Sequence, residues 1–193
     1  LPIGLKGNTD GSGAIQIGGS DAITIDTSLV VTMNGGVQRP LLSGTSVAST
    51  SGTSIDFTGI PSWVKRITVM FSGVSTSGTS AVILQVGYSG GVETTGYVGC
   101  GHNGPNAAVS FTTGFPCVVV ATAALTYGGN AVITTLGSNI WSGNAMLGAS
   151  STGNAQFGGG VKTLSGGTLD RVRITTVNGT DTFDAGTVNI LYE

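Results

Sequence analysis

The chain has 193 residues, 34 of them Gly; Lys, Arg, Asp and Glu make up only 8%, and the formal net charge is −2. Hydrophobic residues reach 39% and mean hydropathy is positive, so the chain has material for a core and is not a disordered polar segment. Charge is spread evenly, −1 over residues 1–45 and −1 over 46–193, and the only close basic groupings are Lys65-Arg66 and Arg171-x-Arg173. A nucleic-acid partner needs a basic patch to neutralise phosphates, so none is expected. No apolar run approaches the ~20 residues that would cross a bilayer, so no membrane insertion is expected. No basic segment followed by an apolar one opens the chain, and its first residue is Leu, so a C-terminal piece of a longer protein is expected. With three Lys, two Glu and abundant Thr, Val, Ile and Ser, the composition is all-β.

An apolar pair recurs every eight residues near the start: Ile15-x-Ile17, Ile23-x-Ile25, Val31-x-Met33. Each reads as a minimal strand with two side chains on one face. Two buried side chains do not offset the backbone entropy of ordering eight residues, so the segment needs neighbours. Identical chains wound around one axis would supply them, which predicts an intertwined β stalk with these six residues on the axis. Asn34-Gly35-Gly36 and Arg39-Pro40 follow, then a Ser/Thr/Gly-rich stretch over Ser43–Ser54 that reads as a neck. The domain boundary is placed at residue 45, with a head over 46–193.

In the head, Ile67, Val69 and Phe71 alternate with polar neighbours, as do Val82, Leu84 and Val86. Val118–Ala121 reads as a strand buried on both faces, and Ala131–Leu136 and Val161–Leu164 as weaker strands. Val172 and Ile174 alternate with Arg171 and Arg173, and Asn178-Gly179 then predicts a hairpin into the final strand, where Val188, Ile190 and Tyr192 share a face. About eight strands at this spacing predict a β-sandwich of jelly-roll type.

Two blocks, Ser51 to Ser80 with Ile60-Pro61-Ser62-Trp63-Val64, and Thr163 to Glu193, resemble a module found near the C-termini of many bacteriophage tail-fibre and related virion proteins. The segment between them, roughly Ala81 to Lys162, carries no such phrase. The resemblance implies a homotrimeric β fibre ending in a compact head on a phage particle, assembled in the host cytoplasm, joined to other virion proteins through its N-terminal side, and exposed to host surface glycan or protein. It implies no catalytic residues and no cofactor. Cytoplasmic assembly implies free rather than bridged thiols at Cys100 and Cys117. Independently of the family, Ile60-Pro61 sets a turn before Trp63, a buried aromatic anchor, and Arg66, Arg171 and Arg173 are set to pair with Asp56 or Asp170.

Three motifs suggest chemistry and fail on context. Gly87-x-Ser89-x-Gly91 matches a nucleophile elbow, but no helix pattern follows, and the single histidine, His102, lies thirteen positions after Ser89 with Glu93 the one acid between them. Gly99-x-Gly101-x-x-Gly104 is followed by Pro105 and opens no helix that could hold a pyrophosphate, so it reads as a loop. Cys100-x-His102 supplies two metal ligands where three or four are needed, so no metal is expected. With no β-helix groove for paired carboxylates, the chain is expected not to be an enzyme. Receptor contacts are expected on loops outside the shared module, at Tyr97, His102, Asn103, Asn106, Trp141 and Asn144, where aromatic faces and amides can engage a glycan or protein. A structural head fibre, collar or decoration protein without receptor recognition is the alternative.

Overall fold

A computed structural model describes residues 3–17, 20–28, 31–33, 36–104, 108–150 and 154–193, with backbone alone for 36–38. The described residues contain strands and turns and no helix. The chain divides into two units, Leu1–Leu41 and Leu42–Glu193.

The first unit is one antiparallel meander of β1 (Ile3–Gly7), β2 (Gly13–Ile17), β3 (Ser20–Ile25), β4 (Val31–Met33) and β5 (Gly36–Gln38), each paired with the next. The eight-residue period is therefore one short strand plus one turn, and the repeats hydrogen-bond to each other within the chain. This differs from the intertwined arrangement expected. Short polar side chains close the turns: Asp10 Oδ1 accepts from Ser12 N at 2.9 Å, and Asp26 Oδ1 from Ser28 N at 2.9 Å.

Register puts the apolar pairs on one face. Leu5 opposes Ile15, Ile15 opposes Ile23, Ile23 opposes Met33, and Ile25 opposes Val31. No second layer of this unit covers that face. Leu5 is 87% exposed and Ile3 74%, and Ile17, Ile25 and Met33 are also exposed; Ala14 is the only buried apolar residue of the unit among the described residues.

The second unit holds β6 (Leu42–Ser43), β7 (Val47–Ala48), β8 (Ser54–Thr58), β9 (Arg66–Thr76), β10 (Val82–Tyr88), β11 (Gly91–Val92) and β12 (Tyr97–Asn103). Then come β13 (Val109–Phe111), β14 (Phe115–Val118), β15 (Tyr127–Gly137), β16 (Ile140–Ala149), β17 (Ala155–Thr163), β18 (Arg171–Thr176) and β19 (Phe183–Tyr192). A larger sheet runs β13-β12-β17-β16-β15-β9-β19-β6, with β7 also on β19; a smaller one runs β11-β10-β18-β8, with β14 on the other side of β10 from β18. Their inner faces share one core, in which Ile67, Val69 and Ile133 of the large sheet meet Leu84, Val172 and Ile174 of the small one. The result is a two-sheet, sandwich-like head, with unequal sheets of nine and five strands rather than the two fours of a jelly roll.

Four expectations change. Leu42–Ser43 and Val47–Ala48 pair with β19, and Ser49, fully buried, donates its Oγ hydrogen to Ala185 O at 2.8 Å, so the supposed neck belongs to the head sheet. Asn178-Gly179 makes no hairpin: β18 and β19 lie in different sheets, and the turn is a crossover in which Asn178 Oδ1 accepts from Thr180 N at 3.0 Å. The strand expected over Val118–Ala121 is displaced to Phe115–Val118, because Val119 N leaves the ladder to donate to Gln156 Oε1 at 3.0 Å. The glycine motif at 99–104 lies largely in a strand, β12, rather than a loop. Cys100 is exposed and Cys117 buried, and no bond joins them in this structure.

The two blocks that carry the phage-module resemblance become neighbours. Ser51–Ser80 contributes β8 and β9, Thr163–Glu193 contributes β18 and β19, and β8 pairs β18 in one sheet while β9 pairs β19 in the other. The intervening segment builds β10 to β17 around that frame.

Candidate binding site

Of the six residues expected to contact a receptor, two are core residues. Trp141 is 4% exposed on the inner face of β16, opposite Lys162. Tyr97 is 2% exposed; its ring meets Phe115 edge-on with centroids 5.2 Å apart, and its hydroxyl donates to Glu93 O at 2.9 Å while accepting from Val86 N at 2.8 Å. Strand alternation explains both, because each sits at an inward position of a strand that had been read as a loop. Asn103 is also buried, at the inward end of β12. His102, half-buried, and Asn144, exposed, lie on the outer face of the large sheet, on β12 and β16. Asn106 lies outside the described residues. The set does not converge on one place.

A cleft does form on the outer face of the small sheet. Gln85, Arg173 and Thr175 point outward from β10 and β18, opposite the inward Leu84, Val172 and Ile174. The segment after β11 folds over one end of this face: Phe111 and Val119 bury Ile83, and Gln85 Nε2 donates to Thr113 O at 2.8 Å. Between this cover, the Thr53-Ser54 edge and the Val177–Gly179 crossover lies a space of about 460 Å³, lined also by Thr94 and Thr95.

The cleft is dense in hydroxyl and amide groups, and its one guanidinium is held rigidly. Arg173 donates from Nε to Asp56 Oδ1 at 2.7 Å and from Nη2 to Asp56 Oδ2 at 2.9 Å, which raises the guanidinium's already high pKa. Arg171 is likewise paired with Asp170, the two ends of the bond coming from adjacent residues. Thr175 Oγ1 donates to Thr53 O at 2.8 Å. With its cation neutralised in place, the cleft presents donors and acceptors without net charge. That chemistry fits a neutral polyhydroxyl ligand better than an anion.

A buried ion pair anchors one rim. Lys162 Nζ lies 2.5 Å from Glu93 Oε2, with side chains 6% and 13% exposed, and 5.4 Å from the Tyr97 ring centroid. Glu93 Oε1 also accepts from Ser165 N at 2.7 Å and Ser165 Oγ at 2.8 Å. Burial pushes the Glu93 carboxyl up, but the bonds from Lys162 and Ser165 together outweigh it and leave it below its ordinary value.

Comparison with known protein families, with curated proteins and with solved structures finds no match.

Of the chemistries weighed from sequence, the elbow-like Gly87–Gly91 turns β10 directly into β11, strand to strand. Among the described residues no group of three or more His, Cys, Asp or Glu could hold a metal. The cleft was not visible as a motif, because its threonines come from four separate segments. Its one legible element was the alternation Arg171-x-Arg173-x-Thr175, which marks an outward face.

Proposed function

We propose that the chain is a fibre component of a bacteriophage particle, homotrimeric, whose N-terminal unit forms the end of a stalk and whose head contacts the host-cell surface. The observation that carries this reading is the one-sided apolar sheet of the first unit. Its exposed Ile3, Leu5, Ile17, Ile25 and Met33 amount to roughly three fully exposed apolar side chains. At about 2 kcal/mol each, covering them would contribute about 6 kcal/mol per chain, a strong incentive to associate. Because the strands already pair within the chain, association brings sheets face to face instead of interleaving strands. Three such sheets, each turning its apolar face to a common axis, make a three-sided prism. The contiguity of the two phage-like blocks in both sheets of the head supports the same assignment, since a shared module has to be one structural unit.

For the head, the uncharged hydroxyl-rich cleft is the recognition element this reading favours, with a host surface polysaccharide as its ligand class. The loss of Tyr97 and Trp141 to the core favours the second reading, a structural head fibre, collar or decoration protein that recognises nothing. Antibody labelling of residues 42–193 on particles separates tail tip from capsid. Light scattering of the purified chain tests the assembly: three times 19.1 kDa is expected, and a monomer overturns the fibre assignment.

A further inference from the structure

The outer face of the large sheet is built differently from that of the small one. Along β12, β17, β16 and β15, no outward position carries Lys, Arg, Asp or Glu. The row Val98–Val161–Ser142 runs beside Cys100–Gly159–Asn144 and then His102–Phe157–Met146. Val98 is 71% exposed, Met146 61% and Phe157 43%. The small sheet's outer face, by contrast, carries Asp56, Arg171 and Arg173.

We propose that this charge-free face is where the heads of the trimer meet, each head turning β12-β17-β16-β15 toward the shared axis; this rests on the trimeric reading above. Two arguments select copies of the chain over a foreign protein. Side chains nearest a threefold axis lie beside their own copies, so a fixed charge there would face like charge; here there is none. The size of the face points the same way. Four strands about 4.8 Å apart and five residues of about 3.4 Å cover only some 250–300 Å², well short of the ~800 Å² per partner of a stable free-standing complex. A partner arriving from solution needs more surface than this. Heads carried on one stalk do not, because the tether holds them at effective concentrations of the order of millimolar. The charged outer face and its cleft are then left to the outside of the trimer.

Cys100 reports on the arrangement without perturbing it. Its thiol is exposed on this face in the single chain, whereas Cys117 is fully buried. The full chain is sized by light scattering and then labelled with a small thiol reagent, natively and in denaturant. In a trimer with packed heads, Cys100 labels at least ~10-fold more slowly than a free cysteine, equivalent to about 1.4 kcal/mol of opening. Met146→Glu places three like charges in the contact at a position already exposed in the chain; it restores fast labelling while the N-terminal sheets keep the mass of a trimer. A trimer whose Cys100 reacts at the free rate overturns the inference and leaves the face for another protein. A monomer overturns the trimer reading and this one with it.

Discussion

Replacing Lys162 by Met tests whether the Glu93–Lys162 pair holds the cleft rim. The substitution keeps most of the aliphatic stem beside Tyr97 and removes the ammonium, leaving a carboxylate that is 13% exposed with Ser165 as its remaining partner. Stranding one half of a buried pair costs about 3–5 kcal/mol, and burial, no longer opposed by Lys162, raises the Glu93 pKa. Urea unfolding at a series of pH values, followed by the fluorescence of Trp63 and Trp141, both in the head, measures this directly. In the native chain the depressed Glu93 pKa contributes stability that is fully present above the ordinary carboxylate value of 4.5 and disappears as pH falls through the lower folded value. In Lys162→Met that contribution is missing at pH 7, and the loss shrinks toward acid as the raised carboxyl takes up a proton. Adding Glu93→Gln to Lys162→Met removes the stranded charge and recovers part of the loss. A single-variant cost under about 1 kcal/mol, the range of exposed pairs, or a double variant as unstable as the sum of the singles, refutes the reasoning.

Gly158→Ala should lower head stability by roughly 2 kcal/mol or more, because the added Cβ would lie 2.3 Å from Pro116 O; a melting temperature within a degree of the parent contradicts that close approach. The Cys117 thiol, pushed up to about 12 by burial, should react only at the rate of unfolding; fast native reaction of two thiols per chain rules this out. Arg173→Gln should cost little stability, under about 1 kcal/mol for a pair about one-third exposed. The same variant should weaken adsorption in a competition assay with purified host polysaccharide, and unchanged competition excludes the cleft from recognition.

The all-β class, the edge between polar and apolar faces, and the Arg173–Asp56 pairing were legible because strand alternation is local. Ile67, Val69 and Phe71, or Val188 and Ile190, declare their inward face within five residues. What stayed hidden depends on contacts far apart in the chain. β12 and all of β17 before Val161 did not read as strands because Gly99, Gly101, Gly158 and Gly160 occupy their inward positions, where large apolar residues normally supply the signal. The reason lies in close neighbours: a Cβ at Gly101 would fall 2.5 Å from Val119 Cγ2, and one at Gly160 2.7 Å from Val98 O on the adjacent strand. Tyr97 and Trp141 were misplaced for the same reason, since their strands went unrecognised. Asn178-Gly179 has the chemistry of a tight turn, and Gly179 does adopt φ of 68°. Local chemistry does not choose which sheet the next strand joins; the open edge of β9 does.

The position of β19 between β9 on one side and β6 and β7 on the other has a consequence for biosynthesis. During synthesis β6 and β7 are the first head strands to emerge and have no partner until Phe183–Tyr192 is made. Ser49 and the β9 edge wait with them, over a separation of more than a hundred residues. Such long-range closure slows folding of the head and makes it depend on the arrival of β19. A prematurely ended chain lacks the ribbon that joins its first head strands to the rest. It leaves the edge of β9 bare, with backbone groups free to pair with another strand.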